Sequence, residues 1–299
     1  MNVTLRQLKA FLAVARQQHF GRAADSIHLT QPAVSRLIAD LEAELEVRLF
    51  DRTTREVVPT ETGRYLEQAV ARTLDDLDAV LAHARQQGDP LRGRVRIASV
   101  PTLSASIMPL CIARCAGEHP SVEILLRDQN QAQVLEAVRS GEVDFGLAIE
   151  PSPDDEFDTH DLLMDPFWLV CPANHPLADS HAVAWKRLRG ETLILLDHAS
   201  GSRRLIDQAL ATHGIDAHVG IEVGHAQTAF RMVSAGLGIT VTPGLSLDGL
   251  TPDLAARQLT PVIQRQVVLA RRRQRSLSPP AETIWTWLAQ RAATILTSD

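Results

Sequence analysis

The chain has 299 residues, 45% of them hydrophobic and 22% charged, with a formal net charge of −6. That length exceeds one average domain and can bury sizeable cores, while the acidic balance excludes a protein that coats nucleic acid indiscriminately and leaves room for a specific binder. No apolar run approaches the roughly 20 residues of a membrane helix, and the amphipathic N-terminus lacks a signal peptide's charged start and apolar core, so a cytoplasmic protein without a membrane partner is expected.

Leu5, Leu8, Phe11, Leu12 and Ala15 make an amphipathic first helix, and Phe20 through His28 can form a short second one. Thr30-Gln31-Pro32-Ala33-Val34-Ser35-Arg36 opens the third. Thr30 is a good N-cap whose hydroxyl can take a free backbone N–H, and Pro32 fits the first turn, where its missing N–H costs nothing. Val34, Leu37, Ile38, Leu41 and Leu45 fall at helical spacing, so one face is buried. The other face carries Gln31, Ser35 and Arg36, donors and acceptors able to read base edges. Leu49-Phe50-Asp51-Arg52 and Val57-Val58-Pro59 read as two very short strands around Thr53-Thr54-Arg55. Such a wing sets Arg52 and Arg55 near a duplex backbone or minor groove.

Three short helices, the second and third joined by a tight turn, read as a helix-turn-helix. An ordinary helical subdomain shares that pattern; the wing and the Thr-Gln-Pro-x-x-Ser-Arg face favour DNA binding. Bulk charge does not help, because Arg6, Lys9, Arg16, Arg22, Arg36, Arg48, Arg52 and Arg55 are offset by Asp25, Asp40, Glu42, Glu44, Glu46, Asp51 and Glu56. The run FGRAADSIHLTQPAVSRLIADLEAELEVRLFDRTTREVVPTETG resembles the winged helix-turn-helix of LysR-type transcriptional regulators. The resemblance covers essentially the whole chain and is most specific from TQPAVSR to LFDR. It implies a DNA-binding regulator with double-stranded operator DNA, a small-molecule effector and RNA polymerase as partners, acting as a homodimer or homotetramer.

Thr60-Glu61-Thr62 can cap a long helix running to about Gln87. Its apolar positions Leu66, Val70, Thr73, Leu77, Val80 and Ala84 alternate in steps of four and three, a heptad seam whose partner is either a second copy or this chain's own regulatory domain. Gly88-Asp89-Pro90 ends the helix and opens a hinge. The expected division is therefore a DNA-binding domain over 1–60, a dimerising helix over 61–88 and an effector domain over 89–299.

From Arg92 the pattern is strand, helix, strand, helix, strand: 95–99, Pro101 to about Ala116, 122–126, Gln131 to Ser140, and 143–149. Glu150-Pro151-Ser152-Pro153-Asp154-Asp155 is the expected crossing into a second lobe, about 160–265. That lobe holds strands at 167–170, 192–196, 218–223 and 238–242, with helices from about Ser202 to His213 and from Gln227 to Ala235. Val267-Val268-Leu269-Ala270 should return to the first lobe, about 92–150 and 266–299, and a last helix from Pro280 to Leu296 turns Ile284, Trp287, Leu288 and Ala292 inward. Two α/β lobes with two crossovers resemble the periplasmic-binding-protein architecture, which is also the LysR regulatory domain and closes on a small ligand at its hinge.

Ligands of parallel sheets sit beyond the strands' carboxyl ends, facing helix N-termini. Ser99, Thr102, Asn130, Ser200, Ser202 and Gln227 meet that rule; Thr102, Ser200 and Ser202 could equally be helix caps. Their hydroxyls, amides and backbone N–H groups suit a small polar molecule, with a carboxylate as the expected class and neutral ligands able to use the same donors.

A solute-binding or enzymatic α/β protein with a helical appendage is the rival reading, and little favours it. Gly244-Leu245-Ser246-Leu247-Asp248 fails the nucleophile-elbow pattern at its last position, and Ala235-Gly236-Leu237-Gly238 precedes a strand instead of following one. No catalytic residue is assigned, no cofactor is expected, and the scattered histidines lack metal-ligand spacing. Cys111, Cys115 and Cys171 are too few for a disulfide framework; core thiols or a redox sensor are the alternatives. Arg271-Arg272-Arg273 and Arg275 form the densest charge cluster, a solvated strand end or a second phosphate contact.

Overall fold

Thr4 starts the first helix, α1 (Leu5–Gln17), with a capping box: its hydroxyl accepts from the Gln7 N–H at 3.3 Å while Gln7 Oε1 accepts from the Thr4 N–H at 2.7 Å. The computed structural model describes residues 2–52, 57–84, 91–151 and 156–295. These fall into two compact units, Met1–Gly88 and Asp89–Asp299.

In the first unit α2 (Phe20–Ser26) is capped by His19 Nδ1, which accepts from Gly21 and Arg22. Next comes α3 (Gln31–Leu45), burying Val34, Ile38 and Leu41 against Phe11, Val14 and Leu49. Strands β1 (Phe50–Arg52) and β2 (Val57–Pro59) pair antiparallel, Phe50 opposite Pro59. Phe50 sets its ring 5.5 Å from that of Phe11, tilted, and 6.3 Å from that of Phe20, edge-on, so the wing is stitched into the helical core. Glu42 Oε1 accepts from the Leu49 and Phe50 N–H groups, fixing the chain as it leaves α3. The wing tip lies outside the described residues, and with it Arg55; the side chain of Arg52 does too.

Helix α4 (Glu61–Ala84) is capped by Thr60 Oγ1, which accepts from the Gly63 N–H at 3.0 Å. A Cβ on Gly63 would stand 2.2 Å from the Leu49 carbonyl oxygen, so the close approach of helix and wing needs glycine there. The expected seam divides. Leu66, Val70 and Leu74 pack into the unit's own core and Thr73 is exposed. Leu77 is half-buried and Leu81 exposed, whereas the side chains of Val80 and Ala84 lie outside the described set.

The second unit opens with β3 (Gly93–Ser99), α5 (Pro101–Ser106), α6 (Met108–Glu118), β4 (Val122–Asp128), α7 (Gln131–Arg139) and β5 (Phe145–Ile149). The expected single helix from Pro101 is broken at Ile107, because Pro109 cannot donate to the preceding turn. Then come β6 (Phe157–Pro172), β7 (Ala182–Ala184), β8 (Thr192–Leu196), α8 (Gly201–Thr212), β9 (His218–Val223), α9 (Ala226–Ser234), β10 (Thr240–Pro243), β11 (Leu254–Thr260), β12 (Gln264–Arg272) and α10 (Pro279–Ile295).

Strand order in the main sheet is β4-β3-β5-β12-β6-β11-β7, with β10 also paired to β6. Strand β6 is the outward crossover: residues 157–166 pair with β12 in the first lobe, and 167–172 pair with β10 and β11 in the second. The chain therefore changes lobes within a strand, at Pro166–Phe167, and not at the acidic Glu150–Asp155 break. β12 makes the return. Strand β8 pairs parallel with β9 and is bridged to Ile239, just ahead of β10.

Each lobe has its own core. Ile97, Leu103, Phe145 and Leu269 lie in the first with Trp285 and Leu288 of α10; Trp287, expected inward, is only half-buried, and Ala292's side chain lies outside the described set. Phe167, Trp185, Leu193 and Ile206 fill one face of the second lobe, and Val170, Ile194 and Phe230 the other.

Candidate functional site

On α3, Gln31, Pro32 and Arg36 are exposed and Ser35 half-buried, while Val34, Ile38 and Leu41 are buried. Thr30 occupies the N-cap with extended backbone, but its hydroxyl makes no cap hydrogen bond. The expected cap is thus formed in conformation only, and the hydroxyl stays available to an outside acceptor. Among the described residues, no side-chain hydrogen bond or ion pair engages Gln31, Ser35 or Arg36. Helix geometry puts 31 and 35 one turn apart on one side, and turns 36 about 100° further round.

The second unit holds a cleft of about 880 Å³ between its lobes, lined by Thr102, Asn130, Ser200, Ser202 and Gln227 among others. Five of the six residues expected to face a ligand are thus brought together from far-apart stretches of chain. Ser99 is not: it is fully buried, and its hydroxyl donates to the Val100 carbonyl at 3.3 Å, behind the cleft wall. The last residue of a buried strand faces the sheet interior here, while the next turn faces the cleft.

The residues differ in what they have free. Asn130 Oδ1 accepts from the Gln133 N–H at 3.0 Å in a capping box for α7, so its oxygen is engaged. Ser200 Oγ accepts from the Ser202 N–H at 3.3 Å as the cap of α8. Thr102 has no side-chain partner in the described residues and is not the cap of α5, whose N-cap is Val100. Gln227 lies against Gly249, where a Cβ would come within 1.6 Å of its Nε2. Gln131 ties the lobes more closely: its amide bonds both backbone groups of Ile149, at 2.6 and 3.1 Å, and packs on Gly201.

Beneath the cleft sits a residue that pattern reading missed. Arg265 of β12 donates from Nε to Asp165 Oδ2 at 2.9 Å and from Nη1 to Ser202 Oγ at 2.8 Å. Nη2 also stands 2.8 Å from Asp165 Oδ2, in an alignment that makes it an ion-pair contact and not a third hydrogen bond. Asp165 Oδ1 accepts from the Leu245 N–H at 3.2 Å. Burial pulls the guanidinium below the usual arginine range, and Asp165 opposes that shift. Ser202 is therefore a hydroxyl already accepting one charge-assisted bond. The signal for this group was an arginine between Gln264 and Gln266, but its partner is 100 residues away in sequence.

The other candidates resolve simply. All three cysteines are buried, Cys111 and Cys115 in the first-lobe core on α6, Cys171 in the second. Burial pushes the Cys111 thiol up to about 12 and raises those of Cys115 and Cys171 as well. Arg271 lies 5.2 Å over the Trp285 ring and near Asp158 and Glu282, and Arg273 bonds Asp158 at 3.3 Å, the solvated strand end among the alternatives.

With this geometry in hand the comparisons with known proteins are direct. Residues 5–64 match the family described as bacterial regulatory helix-turn-helix protein, lysR family, and residues 88–293 match the LysR substrate binding domain. The HTH-type transcriptional regulator YfeR of Shigella flexneri is 44% identical over 288 residues, covering 95% of this chain and 93% of that protein. The hydrogen peroxide-inducible genes activator of Pectobacterium carotovorum is 32% identical over 248 residues, covering 82% and 81%. A full-length OxyR variant from Pseudomonas aeruginosa superposes with a TM-score of 0.75 at 25% identity, covering 97% of this chain and 94% of that one. The chain belongs to the LysR family of DNA-binding transcriptional regulators, a helix-turn-helix unit followed by an effector-binding domain of two α/β lobes.

Proposed function

We propose that the protein binds operator DNA through α3 and the wing, and that a small effector held in the interlobe cleft changes that binding. Gln31, Ser35 and Arg36 read base edges, Thr30 and Pro32 set the entry of the helix on the duplex, and Arg52 and Arg55 grip the backbone beside it. The observation that supports this most is the set of unengaged polar side chains at the start of α3, Gln31 and Arg36 exposed while Val34, Ile38 and Leu41 are buried. Thr102, Asn130, Ser200, Ser202 and Gln227 hold the effector. A two-fold operator calls for two copies, so the working unit is a homodimer or a dimer of dimers in the cytoplasm, with RNA polymerase as the downstream partner. An effector acts by differential affinity for two arrangements of the lobes and subunits. The relatives named above are regulators, which supports a cleft that holds its ligand and does not transform it.

Peroxide sensing is the second reading, favoured by one relative's name. The thiolate is the species that reacts, and these thiols are buried with their pKa values raised, the opposite of a reactive sensor.

The decisive experiment is to recover and sequence genomic fragments retained by the purified protein, then titrate the recovered duplex at increasing salt. A shared two-fold sequence bound well above random duplex supports the reading. Equal binding to random duplex at every salt concentration overturns it.

A further inference from the structure

Four helix N-termini open on the cleft, those of α5, α7, α8 and α9, and on charge alone such ends attract an anion. In this protein part of that field is already answered. One N-terminal N–H of α7, that of Gln133, is bonded by Asn130, and one of α8, that of Ser202, by Ser200, while α5 and α9 carry no side-chain cap. Asp197, in the loop between β8 and α8, accepts from the Ala199 N–H at 3.0 Å with Oδ1, and its Oδ2 lies 3.9 Å from where a Cβ on Gly224 would sit, just ahead of α9. The protein's own carboxylate thus stands where an anion would. Arg265, the only lysine or arginine among the described lining residues, is neutralised by Asp165.

What remains is acceptor-rich. Asp128, Asp197 and Asp248 all line the cleft, and neither Asp128 nor Asp248 is drawn into an ion pair within the described residues. Two buried polar atoms there also have no partner: Gln129 Oε1, and Oγ of Ser246, a residue only 9% exposed. Such orphaned atoms each cost free energy unless something fills them. A carboxylate offers acceptors only, so it leaves Gln129 Oε1 unsatisfied and meets three like charges.

From these observations we infer that the effector is a small organic cation, a protonated amine that also carries a hydroxyl or carbonyl group. This rests on the reading of the cleft as the effector site. The ammonium supplies three donors, for Gln129 Oε1 and the neighbouring carboxylates, and the second polar group meets the Ser246 and Thr102 hydroxyls. The lobes close because acceptors on both sides, Asp128 and Gln129 from the first and Asp197 and Asp248 from the second, share one cation.

Thermal melts of the full-length protein test this with ethanolamine and 4-aminobutanol against glycolate and succinate. An amine should raise the melting temperature of the wild type, and its apparent affinity should fall about tenfold in Asp197→Asn and in Asp128→Asn, the loss of one charge-assisted contact. Asp128 is exposed and Asp197 half-buried, and they lie in different lobes, so a fold defect in one variant leaves the other informative. Stabilisation by glycolate or succinate alone, strengthened by Asp197→Asn, overturns the amine class and leaves the cleft reading intact. No shift with either amine overturns it too. A shift that persists undiminished in Thr102→Leu, Asp128→Asn and Asp197→Asn alike places the ligand elsewhere and sinks the cleft reading itself.

Discussion

Arg265 and Asp165 face each other across the two strands that join the lobes, with Nη2 and Oδ2 2.8 Å apart and both side chains only 2% exposed. The pair sits beside Pro166–Phe167, where β6 passes from one lobe to the other, and it reaches Ser202 at the start of α8. A single guanidinium thus touches the floor of the cleft, the crossover strand and a helix that bears candidate ligand contacts.

Removing one member leaves a buried charge without its counterpart, which costs about 3–5 kcal/mol. Arg265→Met should lower stability by that order in urea unfolding, and Asp165→Leu likewise. The double variant should recover much of the loss, since an apolar pair can replace a buried ionic one. Additive losses in the double variant would show that the two residues act independently.

At the DNA face, a good bidentate base contact is worth about 1–3 kcal/mol. Gln31→Ala and Arg36→Ala should each weaken operator binding by that order while leaving random-duplex binding and the melting temperature nearly unchanged, because both side chains are exposed. Fluorescence anisotropy on both duplexes measures this. Undiminished discrimination in both variants would remove them from the reading surface.

Helix α4 separates two roles along its length. Leu74 is buried in the core of its own unit, so Leu74→Ala should cost about 2–5 kcal/mol of stability. Leu77 is only half-buried, and Leu77→Glu should instead dissociate the dimer and weaken operator binding. Sedimentation velocity distinguishes them; an unchanged dimer in Leu77→Glu would mean that this residue, too, faces its own chain.

Thr102→Val keeps the shape of the cleft wall and deletes a hydroxyl that no other described group uses. The variant should bind effector several-fold more weakly, in keeping with a net hydrogen-bond contribution of about 0.5–1.5 kcal/mol. Effector-induced thermal stabilisation is the readout. Equal stabilisation of wild type and variant would take Thr102 out of the ligand's reach.

Cys111 links burial to pH. Its thiol is raised from 9.0 to about 12 by burial first and by neighbouring Cys115 second. A group whose folded pKa lies above its unfolded one contributes its full stability below the unfolded value and loses it as pH rises through the folded one. Relative to Cys111→Ala, wild-type stability should therefore be flat below about pH 9 and fall between about pH 9 and 12, by at most about 1.4 kcal/mol per pH unit. Paired urea titrations across that range would expose a parallel decline, which would contradict the assignment.

The sequence by itself determined whatever depends on local repetition. The 3.6-residue spacing of Val34, Ile38 and Leu41 gives α3 its buried face and so sets Arg36 opposite it, while Gln31 is exposed in the first turn. Alternating strands and helices from β3 to β5 give the two-lobed α/β class, and strand ends followed by hydroxyl and amide residues mark five of the six expected cleft positions. What repetition cannot carry is the choice of partner. Leu66 and Val70 have the spacing of an intermolecular seam, yet they pack into the core formed with α1 and the wing, because burial of apolar surface is non-directional and does not specify its partner. β6 reads as a short strand at Phe167–Val170 because its polar first half, Asp158 to Asp161, is stabilised by ladder hydrogen bonds to β12 and not by an apolar pattern. Ser99 and Thr102 are three residues apart and chemically alike, but the strand's last residue turns into the sheet while the helix's first turn opens on the cleft. Arg265 finds Asp165 only after both crossovers have closed, so the charge balance of the cleft, and with it the chemistry of its ligand, belongs to the tertiary structure.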